Sequence, residues 1–282
     1  MITGLGVHLM VWSGQVGEAE LALLPAIREM GYDGVEIPIF APDALDPSRV
    51  RAGVEAAGLR CTASTALPAE VSLIDSPRRA ESVAWLQGVV RCAAALGASV
   101  LCGPLAVPVG ALRGRGYTAS EWENAVQALR AVGDVAGELG VRLAFEPLNR
   151  FETFFLNTVA DGVRLVAEVD HPAVGLLLDT FHMHIEEKST PAAIRLAGPR
   201  LYHFHASEND RGTVGTGQVA WAEVFRALAE IDYGGWVVVE SFNAVIPELA
   251  GATCIWRPLA ESPEALAQES LAFLRRQIQT EW

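Results

Sequence analysis

Three acidic residues and a histidine each come at the end of an apolar run of the chain. Glu146 follows RLAF, Asp179 follows VGLLL, His205 follows LYHF and Glu240 follows GWVVV. An ionised carboxylate that leaves water costs several kcal/mol unless a cation or a set of donors meets it. Carboxylates with an imidazole suit a divalent cation such as Mn²⁺, Co²⁺ or Mg²⁺, and the lack of a thiolate disfavours structural zinc. Taken singly, each residue could instead cap a helix or pair with an arginine.

The apolar runs predict eight β-strands. They lie at 6–12, 34–39, 60–67, 99–105, 142–148, 174–180, 201–207 and 235–241. Helical patterns that end in glycine lie between them, among them 19–31, 81–97 and 120–140. Alternating strands and helices predict an α/β fold, a (β/α)8 TIM barrel in which residues 1–282 form a single domain. A doubly wound sheet is the alternative, but the first β-to-α turn, WSGQVGEAE, lacks the G-x-G-x-x-G spacing of a dinucleotide site.

Functional residues of such a barrel come from the carboxyl ends of its strands. Side chains alternate between the two faces of a strand, so each of the four residues points the same way as the residue two positions before it. If these faces point into the barrel, Glu146, Asp179, His205 and Glu240 form one ring above an apolar layer. We call these four residues the polar ring. Repulsion between its carboxylates predicts a bound divalent cation.

Three more residues lie near the polar ring in the predicted barrel. Glu36 ends GVE in the second strand, across the barrel from the ring, so we expect it to hydrogen-bond rather than to bind the cation. His203 lies one layer below His205, and His8 lies on the first strand. Both are expected to be core histidines or hydrogen-bond partners of a ligand residue.

The loops at the strand ends supply further candidates. His182 and His184 follow the sixth strand, where one of them can face the barrel mouth and His184 is expected on the loop surface. Met10 and Trp12 could pack against the carbon face of a ligand, and core packing is the alternative for Trp12. The segment 107–122 is long for a β-to-α loop and could cover the pocket, while its arginines could equally be solvated.

Composition excludes several classes of function. The formal net charge is −13, which disfavours binding to nucleic acid. No apolar run reaches the ~18 residues of a membrane span, and no basic segment precedes the first apolar stretch, so a cytoplasmic protein is expected. The single lysine, Lys188, lies in the polar stretch EEKST, which disfavours a Schiff-base mechanism. The scattered cysteines are expected to be reduced core thiols: Cys61, Cys92, Cys102 and Cys254.

Four segments carry a resemblance to a known family. They are FEPLNRFETFFLNT (145–158), LLLDTFHMHIEE (176–187), HFHASENDRGTVGTG (203–217) and VVVESF (237–242). GVEIP, LCGPL and WRPLA agree over the rest of the chain, and ENDRG and EPLNR-x-ET are the most specific parts. The sequence resembles the ketose 3-epimerases, the group of D-tagatose/D-allulose 3-epimerase and L-ribulose 3-epimerase within the xylose-isomerase-like barrels.

The resemblance implies functions for individual residues. The implied ligands of one divalent metal ion, usually manganese or cobalt and otherwise magnesium, are Glu146, Asp179, His205 and Glu240. Glu146 and Glu240 are also the implied catalytic acid/base pair. The implied substrate-binding residues, which hold the sugar oxygens near C1 to C3, are Glu152, His182 and Arg211. A homodimer or homotetramer is implied as well.

The expected reaction inverts C3 of a free ketose such as D-tagatose, D-fructose/D-allulose or L-ribulose. The cation would chelate O2 and O3 and stabilise a cis-enediolate, while one glutamate removes the C3 proton and the other returns one to the opposite face. A non-phosphorylated sugar is favoured because no lysine lies near the carboxylate-rich mouth. For Arg211, the alternative is a surface salt bridge with Glu208 or Asp210.

Other activities are compatible with the same barrel. An aldose–ketose isomerase or a hydroxypyruvate isomerase could use the same cation site. An endonuclease IV-like phosphodiesterase would need more histidine ligands and a basic surface. A sugar-binding module would bind its ligand without turnover.

Overall fold

The structure is a computed structural model that describes residues 1–242 and 247–282. Within these residues, eight parallel strands form a closed barrel in the order of the chain. Their bounds are β1 Gly4–His8, β2 Gly34–Pro38, β3 Arg60–Ser64, β4 Val100–Gly103, β5 Arg142–Phe145, β6 Val174–Asp179, β7 Leu201–Ala206 and β8 Trp236–Val239. The predicted (β/α)8 barrel is therefore confirmed, and the doubly wound sheet is wrong.

Helices follow the strands around the barrel. Their bounds are α1 Glu18–Leu21, α2 Leu24–Met30, α3 Pro47–Ala56, α4 Arg79–Leu96, α5 Ala119–Glu138, α6 Val159–Val169, α7 Thr180–Glu186, α8 Thr190–Ala197, α9 Trp221–Glu230, α10 Pro247–Thr253 and α11 Pro263–Glu281. The helix predicted at 19–31 is divided into α1 and α2, because Pro25 has no N–H to donate to the carbonyl of Leu21. Gly31 ends α2 with a φ of 104°, as predicted for a C-cap glycine.

Several strands end earlier than predicted. After β1, Nδ1 of His8 accepts the N–H of Met10 at 3.0 Å, which turns the chain into a short 3₁₀ segment. Glu146 and Glu240 are the first residues beyond β5 and β8. Their N–H groups still donate to carbonyls of the preceding strands, at 3.0 and 3.3 Å. The backbone of each glutamate is thus held by the barrel wall rather than by a free loop.

The barrel interior contains the apolar layer that the sequence predicted below the polar ring. Val100, Cys102, Ala144 and Leu177 pack together there. Ala144 and Leu177 precede ring residues of β5 and β6 by two positions, so these side chains share one face of their strands. The inward direction of the polar ring follows from this alternation.

Glu121 anchors the long segment between β4 and α5. Its carboxylate accepts from Arg113 at 2.5 Å and from both terminal nitrogens of Arg115 at 2.8 Å. It also accepts the N–H of Thr118, whose hydroxyl in turn accepts the N–H of Glu121 and begins α5. The two arginines of this segment are therefore ion-paired with Glu121, while their side chains stay exposed to solvent, as the alternative of solvation had it.

We expect Glu121→Gln to destabilise the protein by about 1 kcal/mol at neutral pH. Arg115 lowers the pKa of Glu121 to about 2, although burial opposes this shift. A carboxylate with a lowered pKa stabilises the fold above its unfolded pKa of about 4.3, and the contribution is lost as the pH falls toward 2. Urea unfolding should show a difference from wild type that shrinks with acidification. Glu123→Gln, at an exposed position of α5, is the matched control, and an equal loss in it would contradict the expectation.

Two further expectations from the sequence concern membrane-spanning segments and the cysteines. Among the described residues, no helix is both long and apolar enough to cross a membrane. Cys61, Cys92 and Cys102 are buried free thiols, as predicted. Cys254 is also a free thiol, but it is exposed directly after α10, so its predicted place in the core is wrong.

Candidate functional site

The polar ring converges at the carboxyl end of the barrel. Each of its four residues offers one nitrogen or carboxylate oxygen, and these atoms lie within 4.8 Å of one another. All four side chains are buried, yet Glu146 Oε1 and His205 Nδ1 have no hydrogen-bond partner among the described residues. A buried polar atom without a partner costs about 1–3 kcal/mol, and a cation between these atoms would remove that cost. The residues therefore fit a divalent cation.

Arg211 brings a positive charge of the chain itself to the polar ring. Its Nη1 donates to Asp179 Oδ2 at 2.5 Å and to Glu240 Oε2 at 2.7 Å. The guanidinium carbon lies 4.0 Å from the ring centre of Phe181 and 5.0 Å from that of Phe242. Arg211 is buried in this position, so it holds two of the ring carboxylates in place.

Glu208 organises the loop that carries Arg211. Its carboxylate accepts the backbone N–H of Gly215 at 2.8 Å and the indole N–H of Trp221 at 2.9 Å. Arg211 has a φ of 64°, in the left-handed region, which costs a non-glycine residue about 1–2 kcal/mol. The side chain of Asp210 faces Arg257 and the backbone instead. The alternative in which Arg211 forms a surface salt bridge with Glu208 or Asp210 is therefore wrong.

His182 faces the same cavity as Arg211. Its Nδ1 lies 3.1 Å from the backbone N and 3.0 Å from Nδ2 of Asn149. Both of these are donors, so Nδ1 accepts and the proton of the neutral ring lies on Nε2. Burial and the charge of Arg211 hold the pKa of His182 well below its ordinary range, which keeps the ring neutral. His182 Nε2 and Arg211 Nη2, 3.1 Å apart, are then two neighbouring donors that one oxygen could satisfy.

A cavity of about 600 Å³ opens above the polar ring. Six of the seven predicted site residues line it, and Asp179 lies beneath, bound to Arg211. Glu152 is half-buried in the wall, where its Oε1 accepts from Asn149 at 2.7 Å. Met10 belongs to the apolar part of the wall, and its packing against the carbon face of a ligand stays a prediction. Trp12 does not: its indole N–H donates to Glu264 at 2.8 Å, so only the alternative of core packing is retained for it.

The segment 107–122 reaches the cavity only in part. Val109 lines the cavity, and the N–H of Gly110 donates to the carbonyl of Glu152 at 2.7 Å. His184 is exposed, but it lies on α7 rather than on the predicted loop.

The pKa values of the three carboxylates of the polar ring depart from their ordinary ranges in different directions. Burial and the charge of Glu240 raise the pKa of Glu146 well above its ordinary range. Burial also raises the pKa of Asp179, to about 6, although Arg211 opposes the shift. For Glu240, burial acts upward, but His205 and Arg211 outweigh it and hold the pKa well below its ordinary range. A bound divalent cation would favour the charged form of all three carboxylates.

Two residues that lie next to the polar ring, Asn149 and Ser207, were not predicted from the sequence. Asn149 fixes the ring of His182 and donates to Glu152. Ser207 Oγ donates to the carbonyl of Glu240 at 2.9 Å and lies 2.9 Å from Arg211 Nη1. Each stands two or three positions after a ring residue, and a small polar residue at that spacing is the signal that could have found them.

Known proteins resemble this chain over almost all of its length. Residues 24–277 match the family model of the xylose isomerase-like TIM barrels. A probable ketose 3-epimerase of Synechocystis sp. is 39% identical over 98% of this chain and 96% of its own. An L-ribulose 3-epimerase of Methylomonas sp. is 35% identical over 96% of each chain. The crystal structure of a D-allulose 3-epimerase from Methylomonas sp. in complex with D-allulose superposes with a TM-score of 0.92, at 34% identity over 97% of this chain and 96% of that one.

Proposed function

Because the chain belongs to the xylose isomerase-like TIM barrel family and, within it, to the ketose 3-epimerases, we propose that it inverts C3 of a free ketose with a bound divalent cation. The chain is an isomerase, as the sequence predicted. The observation that carries the proposal is the polar ring, where two buried ligand atoms have no hydrogen-bond partner in the described part of the chain, beneath a cavity that donors line.

Glu146, Asp179, His205 and Glu240 would hold the cation, which we propose to be Mn²⁺ or Co²⁺, with Mg²⁺ as the alternative. Carboxylate oxygens and an imidazole without a thiolate are ligands that these ions accept. When bound, the cation supplies a Lewis acid that withdraws charge from the C2 carbonyl of the sugar. Arg211 holds Asp179 and Glu240 in place before any cation arrives.

Glu146 and Glu240 serve the two faces of C3. Inversion of a carbon next to a carbonyl needs one group that removes the proton and another that supplies a proton from the opposite side, with a cis-enediolate of C2 and C3 between the two steps. Glu146 and Glu240 directly follow β5 and β8, and β6 and β7 lie between these two strands in the barrel. Their backbones are bonded to neighbouring strands, so both carboxylates are fixed before the sugar binds.

His182, Arg211 and Glu152 orient the sugar. The paired donors of His182 and Arg211 suit an oxygen near C1 to C3, because a ketose oxygen can accept from both. Glu152 can accept from a hydroxyl on the same side of the cavity. Among the described residues of the cavity wall, Arg211 is the only lysine or arginine, and two carboxylates already engage it. This supports a free sugar over a sugar phosphate.

Epimerisation assays with and without metal test the proposal. After dialysis against EDTA, the protein should not convert D-fructose, D-allulose, D-tagatose or L-ribulose. Added Mn²⁺ or Co²⁺ should restore conversion to the C3 epimer, with solvent deuterium at C3 when the reaction runs in D₂O. An aldose product would instead indicate an aldose–ketose isomerase. Full activity after complete metal removal would contradict the proposal that the reaction needs a divalent cation. The single domain, the cytoplasmic location and the homodimer or homotetramer stay predictions, and light scattering would measure the oligomeric state.

A further inference from the structure

A second cluster of buried polar side chains shares His205 with the polar ring. Its centre is Glu36 of β2, which has no solvent exposure. Oε1 of Glu36 lies 2.7 Å from His205 Nε2, and Oε2 lies 2.6 Å from His203 Nε2 and 2.7 Å from the hydroxyl of Thr62. Nε2 of His8 hydrogen-bonds to the hydroxyl of Ser64 at 2.6 Å and lies 3.7 Å from Glu36 Oε1, beyond hydrogen-bond distance. Glu36 therefore meets both histidines of β7 in a part of the barrel that water does not reach.

The contacts of Glu36 decide which nitrogen of His205 carries a proton. A carboxylate oxygen at 2.7 Å is an acceptor, so Nε2 of His205 is the donor. The other nitrogen, Nδ1, has no hydrogen-bond partner among the described residues and lies 3.4 Å from Glu240 Oε1. Nδ1 is thus the atom that His205 offers to the polar ring.

We propose that Glu36 is a positioning residue for the cation: it holds the proton of His205 on Nε2 and fixes the orientation of the imidazole. The lone pair of Nδ1 then faces the other residues of the polar ring. This inference rests on the proposed function, because it needs a cation in that ring. Groups that accept the second N–H of a metal-binding histidine set both its tautomer and its orientation. Glu36 does not touch the cavity, so its effect on the reaction passes through His205.

A second metal ion in this cluster around Glu36 is the competing interpretation. Glu36, Cys102, His203 and His205 also offer ligand atoms within 4.8 Å of one another. Two ligand atoms of one ion lie roughly 3 Å apart or more, because two bonds of about 2.1 Å meet at the ion. The separations of 2.6 and 2.7 Å between Glu36 and the two histidines are shorter, which favours direct hydrogen bonds.

Glu36→Gln tests the proposal through metal binding. A glutamine is neutral and has one acceptor oxygen and one donor NH₂ group, so His205 would face either a donor or an acceptor without the negative charge that strengthens the bond. We expect the Kd for Mn²⁺, measured from the EPR signal of the free ion in an EDTA-stripped protein, to rise about 10–100-fold. Thr62→Val is the matched control, because it removes a bond to the oxygen that His205 does not use. The Kd of this variant for Mn²⁺ should stay within about threefold of wild type. This is less than the loss of affinity that follows when the hydrogen-bond partner of a metal ligand is removed.

The outcomes separate this inference from the proposed function. If the wild type binds no Mn²⁺, the proposed cation is wrong. If the wild type binds one ion and Glu36→Gln binds it equally well, only the positioning role is overturned. Two ions per chain, with one lost in Cys102→Ala, would replace it by a second metal site.

Two further measurements keep the test decisive if Glu36→Gln fails to fold. Glu36→Asp keeps the negative charge but places it farther from His205, because the side chain is one methylene shorter. We expect the Kd for Mn²⁺ to rise in this variant as well, by less than in Glu36→Gln. In wild-type protein labelled with ¹⁵N-histidine and loaded with Mg²⁺, long-range ¹H–¹⁵N spectra should find the proton of His205 on Nε2. A proton on Nδ1 would overturn the proposal without any variant.

Discussion

Glu146→Gln and Glu240→Gln should each lower kcat for C3 epimerisation by about 10²–10⁴-fold while the protein stays folded. Each variant keeps only one of the two groups that exchange a proton with C3, and a centre cannot be inverted from one face. Glutamine has nearly the volume of glutamate, so the barrel wall around β5 and β8 should not be disturbed. Because both residues are also proposed ligands, the assays need saturating Mn²⁺, with occupancy checked by EPR.

Exchange of the C3 hydrogen with solvent distinguishes the roles of Glu146 and Glu240. Each variant keeps the glutamate that removes the C3 proton from one of the two epimers. In D₂O it should exchange the C3 hydrogen of that epimer with solvent, but it should not invert that epimer. The two variants should therefore differ in which of D-fructose and D-allulose takes up deuterium, as followed by ¹H NMR. This asymmetry is specific to proton transfer, since a weakened cation would slow exchange of both epimers alike.

Glu123→Gln is the control for these substitutions, because it makes the same chemical change on the exposed face of α5. It should retain wild-type activity. Epimerisation within tenfold of wild type in either ring variant would remove that residue from the acid/base pair. Loss of exchange from both epimers in both variants would mean that the glutamates act only by holding the cation.

The polar ring could be predicted from the sequence because its signal is local. Each ring residue ends an apolar run, and the period of two along a strand fixes the direction of its side chain. The order of strands in a barrel then brings β5 to β8 together without further information. The same reasoning placed Glu36 near the ring, although it could not say that Glu36 contacts both His203 and His205.

The rest of the site depends on contacts between segments that are distant in the chain. Arg211 lies in a glycine-rich polar loop, where a solvated arginine is a reasonable expectation. Its burial follows from the bonds of Glu208 to Gly215 and Trp221, which close the loop, and no periodicity in the sequence encodes them. The break between α1 and α2 was predictable, because the proline that causes it is visible in the sequence.

Arg211→Met should destabilise the metal-free protein by about 3–5 kcal/mol, the usual effect of removing one partner from a buried ion pair. Nη1 of Arg211 contacts both Asp179 and Glu240, and methionine would leave these buried carboxylates without a cation. Thermal and urea unfolding in EDTA measure the effect. Arg257→Met is the matched control, because it removes an exposed arginine that faces Asp210 of the same loop, and its stability should be near that of wild type.

Mn²⁺ should stabilise Arg211→Met more than it stabilises the wild type. Binding to the folded state adds RT ln(1 + [L]/Kd), and loss of a neighbouring positive charge should lower the Kd of the variant. The added ion should therefore raise the Tm of the variant by the larger amount. Equal increments would mean that Arg211 does not compete electrostatically with the cation.

Activity should not return with stability in Arg211→Met. The donor beside His182 Nε2 is absent, so the sugar loses one of the two groups proposed to orient its oxygens. We expect kcat/KM to remain about 10²-fold below wild type at saturating Mn²⁺. Full recovery would restrict Arg211 to charge compensation within the polar ring, whereas restored stability with persistently low kcat/KM would support both of its proposed contacts, one with the carboxylates and one with the substrate.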